Sequence, residues 1–130
     1  MPKQPVISIV DDDESVRQAL VSLMRALGFA CKAYPCAEDF LKSGRLHRTA
    51  CLIADVRMPG MTGLELHRHL VASGHSIPTV LITAHQDEEG RARALKGGVI
   101  CYLAKPFNED DLLGCIRAAL EHVKQDGNGS

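Results

Sequence analysis

Short apolar runs alternate with longer amphipathic stretches along the whole chain, and this alternation limits the fold more than any other feature. Val6–Val10, Ala30–Tyr34, Cys51–Asp55, Thr79–Thr83 and Ile100–Ala104 are rich in Val, Ile, Leu and Ala, with little polar alternation. Strands look like this when both of their faces are buried. Between the runs lie helical patterns at Glu14–Leu27, Ala37–Ser43, Gly63–Ala72, Asp87–Lys96 and Glu109–Lys124. Val16, Leu20, Leu23 and Leu27 recur every three or four residues in the first, and Leu112, Leu113, Ile116, Leu120 and Val123 form a stripe in the last. Glycine follows the first four stretches as a stop signal, and Asn108 is placed to cap the fifth, whose first turn is acidic. Five successive β-α units predict a doubly wound (βα)5 three-layer sandwich, a parallel sheet with helices on both faces.

A chain of 130 residues, 45% apolar and 24% charged, fits one globular domain. The expected domain spans residues 5–124, and residues 125–130 are read as a disordered tail or linker stub. A formal net charge of −1 argues against a basic surface, so direct nucleic-acid binding by this domain is not expected. No apolar run approaches the ~20 residues needed to cross a bilayer, and the N-terminus lacks a signal-peptide pattern. The expected location is the cytoplasm, with no membrane contact. The five cysteines form no C-x-x-C pair and are expected to be reduced and mostly buried. His67, His69, His75 and His85 fit no strong metal-binding spacing and are read as solvated.

The polar residues that end the apolar runs carry the chemistry. Strand one runs into Asp11-Asp12-Asp13, strand three ends in Asp55, strand four in Thr83, and strand five runs into Lys105-Pro106. Strand two ends blandly at Tyr34-Pro35, as an edge strand would, which suits the flavodoxin-like order 2-1-3-4-5. In such sheets ligands bind beyond the carboxyl ends of the strands. Carboxylates gathered there repel one another and favour a hard divalent cation, Mg²⁺ or Mn²⁺. One carboxylate can then attack phosphorus, while an ammonium and a hydroxyl stabilise the transferring oxygens.

Four blocks carry a family resemblance: Ile9-Val10-Asp11-Asp12-Asp13-Glu14-Ser15-Val16-Arg17, Asp55-Val56-Arg57-Met58-Pro59-Gly60-Met61-Thr62-Gly63, Thr83-Ala84-His85 and Lys105-Pro106-Phe107. Together, in this order, they resemble the receiver domains of two-component response regulators, over roughly Val6 to Val123. The style of the blocks is most similar to receivers of the nitrogen-fixation transcriptional regulator type. The resemblance implies that Asp55 is the phosphoacceptor and that Asp11, Asp12, Asp55 and the backbone carbonyl of Arg57 hold the metal. It implies that Lys105 and Thr83 contact the phosphoryl group, that Tyr102 is the aromatic switch, and that a cis peptide precedes Pro106. Its implied partners are a sensor histidine kinase and an output domain or second copy, met through helix 4, strand 5 and helix 5. Asp13 is expected to face solvent. Ala104 and the Gly98-Val99-Ile100-Cys101 approach to strand five depart from the commonest pattern, which bears on partner choice and not on the chemistry.

Three functions compete. A phosphorylatable receiver, catalytic only toward itself, uses every one of these residues. A small aspartyl-phosphate phosphatase finds a loose echo in Asp11-x-Asp13-x-Ser15, but the chain has no room for a cap domain. A receiver-like interaction module without phosphorylation has no need to assemble Asp55, Lys105 and the acid pair. The first reading accounts for the most residues.

Overall fold

Residues 5–85 and 87–129 are described by the computed structural model, with side chains from 122 onward excepted. The elements are β1 (Val6–Val10), α1 (Glu14–Ala26), β2 (Ala30–Tyr34), α2 (Ala37–Lys42), β3 (Thr49–Asp55), α3 (Gly63–Ala72), β4 (Thr79–Thr83), α4 (Glu88–Lys96), β5 (Cys101–Ala104) and α5 (Glu109–Gly129). All strand pairs are parallel and the sheet order is β2-β1-β3-β4-β5. This is the expected flavodoxin-like doubly wound α/β fold, with the order reversing between β1 and β3.

Two apolar layers hold the sheet. On one face Leu20 and Met24 of α1 and Leu112, Cys115, Ile116 and Ala119 of α5 pack on Ile7, Ile9, Ile53, Val80 and Ile82. On the other, Phe40 of α2, Leu66 and Leu70 of α3 and Ala94 of α4 pack on Val10, Leu52, Ala54 and Leu81. Every residue of β4 is buried, whereas Lys32 and Ala33 of β2 are exposed, as befits an edge strand. Among the described residues, no helix is long and apolar enough to cross a membrane.

The boundaries differ from expectation in ways that have local causes. Asp87 stands outside α4 as its N-cap, with its carboxylate accepting from Glu89 N. β3 begins at Thr49, two residues earlier than expected, after a 3-10 turn at Leu46–Arg48 that no periodic pattern announces. In α1 the buried stripe is Leu20 and Met24 while Leu27 is exposed, because the helix ends at Ala26 and Leu27 already belongs to the turn. The backbone of α5 continues to Gly129, past the expected end at Lys124; the side chain of Val123 and all of Ser130 lie outside the described residues. His67, read as solvated, is buried, and His75 is half-buried; His69 and His85 are exposed. His67 falls on the same face of α3 as Leu66 and Leu70, the face turned toward the core.

Candidate functional site

The strand order sets Asp11, Asp55 and Lys105 on the same carboxyl edge of the sheet, at the ends of β1, β3 and β5, although 94 residues separate the first from the last. Nζ of Lys105 lies 3.2 Å from Oδ2 of Asp55 and 3.4 Å from Oδ2 of Asp11. Asp11 is fully buried and Asp55 is 8% exposed. Asp12 is exposed, yet one carboxylate oxygen from each of Asp11, Asp12 and Asp55 lies within 4.8 Å of the others.

The loops that carry these groups are held by their own side chains. Oδ1 of Asp11 accepts from Asp13 N at 2.9 Å, while Asp13, exposed as expected, caps α1 by accepting from Val16 N. Nη1 of Arg17 donates to the carbonyl of Asp11 at 2.8 Å, one helical turn from the acids, which binds α1 to the end of β1. Oδ1 of Asp55 accepts from Arg57 N at 3.1 Å, closing the turn that follows β3. Thr62 and Glu65 form a reciprocal capping box at the start of α3. A Cβ on Gly63 would collide with the backbone carbonyl of Asp55, so only glycine lets α3 start this close to the strand end. Sequence reading includes Gly63 and Arg17 at the ends of two motif blocks, and Gly63 as a helix start, but gives neither a role in holding the site. Their contacts join segments that no local pattern connects.

Charge at this edge is unbalanced. Burial drives the Asp11 carboxyl above its usual range, and the nearby Asp55 charge adds to that; the Asp13 N–H and Lys105 oppose it without prevailing. For Lys105, burial alone acts to lower the pKa, but Asp11 and Asp55 outweigh it and hold the ammonium above the ordinary lysine value. One ammonium facing two buried carboxylates, with a third alongside, leaves net negative charge where oxygen donors converge. That donor set fits a hard divalent cation.

Thr83 is almost fully buried at the end of β4, and its hydroxyl is engaged with its own loop. It donates to the carbonyl of His85 and accepts from His85 N, each at 3.1 Å. Tyr102 is half-buried on β5, with burial and the carboxylate of Asp87 raising its phenol pKa and Arg57 opposing. The Lys105–Pro106 peptide is cis. Asp11, Asp12, Asp55 and Lys105 therefore form one cluster, while the hydroxyls of Thr83 and Tyr102 are directed to the loop after β4 and the start of α4. Arg57 is exposed on the loop between β3 and α3.

Comparison with known proteins agrees with this arrangement. The family described as "Response regulator receiver domain" matches residues 7–117. The response regulator protein TmoT of Ectopseudomonas mendocina is 44% identical over 123 residues, covering 95% of this chain and 56% of that protein. The structure titled "Low Resolution Structure of Response Regulator StyR" superposes with a TM-score of 0.90 at 42% identity, covering 98% of this chain and 64% of that one. The structure titled "CRYSTAL STRUCTURE OF FIXJ-N" gives 0.82 at 35% identity, covering 93% and 97%. The chain spans about half the length of the curated relatives it matches. Sheet order, clustered strand-end acids and a family match across nearly the whole sequence lead to one assignment: the chain belongs to the receiver domains of two-component response regulators.

Proposed function

We propose that Asp55 accepts a phosphoryl group from a phosphohistidine of a sensor histidine kinase, and that the acquired charge resets the surface made by α4, β5 and α5. The observation that carries this reading is the placement of Lys105 Nζ 3.2 Å from a carboxylate oxygen of Asp55 at the end of β3. An oxygen of Asp55 forms the new bond to phosphorus as the phosphorus–nitrogen bond of the donor breaks, and the electron pair of that bond stays on the imidazole. Lys105 neutralises charge on the transferring oxygens and holds the acceptor in place. Asp11, Asp12, Asp55 and the backbone carbonyl of Arg57 would hold a Mg²⁺ or Mn²⁺ ion, which supplies further neutralisation of phosphoryl charge when bound.

In the state described here Thr83 is bonded to His85. Exchanging those bonds for one to a phosphoryl oxygen draws the hydroxyl away from the loop and opens room for Tyr102 to turn inward. Phosphorylation thus shifts an existing equilibrium. Eventual loss of the group to water is self-catalysed, so the domain turns over no other substrate. The relatives named as transcriptional regulators, such as FixJ of Rhizobium meliloti, support a transcriptional output. The free cysteines and the kinase partner suit a cytoplasmic protein.

Treating the chain with a small acyl phosphate and Mg²⁺ tests the chemistry. The expected product is one phosphoryl group per chain that hydroxylamine removes, as it does from an acyl phosphate. A label that resists hydroxylamine would place the group on a hydroxyl side chain and refute the assignment.

A further inference from the structure

The hydroxyl of Tyr102 lies over Gly90, 3.4 Å from the point where a Cβ on that residue would sit. The same point is 3.0 Å from Oδ2 of Asp87. Asp87 is not free to swing aside, because its Oδ1 accepts from Glu89 N as the N-cap of α4. Gly90 is the third residue of this nine-residue helix, a place where glycine is a poor helix former. Beside it is a small hollow of about 90 Å³ lined by Asp87, Glu88, Arg91, Tyr102 and Ala104.

We infer that Gly90 is a positioning residue for the switch. Its missing side chain lets the Asp87 carboxylate and the Tyr102 hydroxyl share one niche, and so sets how much of the unphosphorylated protein keeps Tyr102 outward. The inference rests on the reading of Thr83 and Tyr102 as a coupled pair. A methyl group at residue 90 must displace the Asp87 carboxylate by a few tenths of an ångström, while it meets the Tyr102 hydroxyl at van der Waals contact. With Tyr102 in the niche the carboxylate must give against the hydroxyl beside it, whereas with Tyr102 departed that space is open, so the methyl costs more in the first arrangement than in the second. The balance then moves toward the second, and any reaction that favours it gains in rate.

The chain has two tyrosines, Tyr34 and Tyr102, so ring-labelled tyrosine gives two sets of signals by NMR, assigned with Tyr34→Phe. In unphosphorylated Gly90→Ala the Tyr102 signals should shift while those of Tyr34 stay. The initial rate of phosphorylation by acetyl phosphate should rise roughly fivefold, the lower range of typical coupling between sites. In a Tyr102→Phe background, where no hydroxyl overlies residue 90, the same substitution should give much less than that gain. Gly90→Ser should reproduce the alanine result. An unchanged Tyr102 signal in Gly90→Ala overturns the inference, and so does an equal rate gain with and without the Tyr102 hydroxyl, which would mean that helix propensity alone is at work. A chain that takes no phosphoryl group in any form refutes the proposed function instead, and the tyrosine signals still decide the role of Gly90.

Discussion

Lys105 answers to two carboxylates, and its removal leaves both without their cation. Lys105→Met is expected to slow acyl-phosphate-driven labelling by about 10²–10³-fold, the usual cost of losing one preorganised stabiliser, as measured by initial rates at saturating Mg²⁺. Asp11 tests the opposite sign. Burial holds its folded pKa above the unfolded value, so its charge costs stability near neutral pH, a cost relieved as pH falls through the folded pKa. Without divalent cations, Asp11→Asn should therefore melt higher than wild type; a lower melting temperature would contradict the charge argument. His67 titrates in another window. Burial lowers its pKa below 6.5, so the unfolded chain binds the proton first. Its contribution is complete above the unfolded value and is lost as pH falls from there to the folded pKa. The urea midpoint should fall across that interval in wild type and fall less in His67→Leu. The identity of each strand-end group was legible in the sequence. The burial of His67 was not, because a histidine beside apolar residues on a short helix reads the same whether that face is covered or wet.

Helix starts fix where the Asp55 carboxylate sits. Gly63 admits the first turn of α3 against the carbonyl of Asp55, and the capping box of Thr62 and Glu65 holds that turn. Gly63→Ala should destabilise the fold by about 1–3 kcal/mol, the range for overpacking a tight site, and slow labelling as well because the strain falls on Asp55. Thr62→Ala should cost about 1 kcal/mol with much less effect on the labelling rate, a contrast read by denaturation and initial rates on the same samples. The five strands and five helices follow from hydrophobic period alone, since runs of strand length separated by glycine-stopped helical patterns allow few alternatives. Boundaries were less legible. Asp87 as a cap, Leu27 as a turn residue and the 3-10 turn before β3 depend on hydrogen bonds and packing that the period does not encode. Arg17 is similar: its bond to the carbonyl of Asp11 spans a turn that only the folded loop creates.

At the scale of the whole molecule, the parallel sheet gathers four distant segments at one edge, and the order β2-β1-β3-β4-β5 explains why strand two alone contributes no acid, hydroxyl or ammonium. That convergence was readable because unusual polar residues ended otherwise apolar runs. The direction in which Thr83 and Tyr102 point was not readable, because both orientations satisfy the same sequence. The assembled edge carries surplus negative charge, so a cation that binds the folded form alone must stabilise it by mass action. The melting temperature of wild type should rise with Mg²⁺ and return with chelator, while Asp11→Asn should respond much less; equal responses would place the ion elsewhere. The most direct test of the account is the intact mass of wild type and Asp55→Asn after incubation with acetyl phosphate and Mg²⁺. The account predicts a Mg²⁺-dependent gain of about 80 Da, one phosphoryl group, on wild type and none on the variant. No gain on folded wild type at repeated early times, or an equal gain on Asp55→Asn, would contradict it.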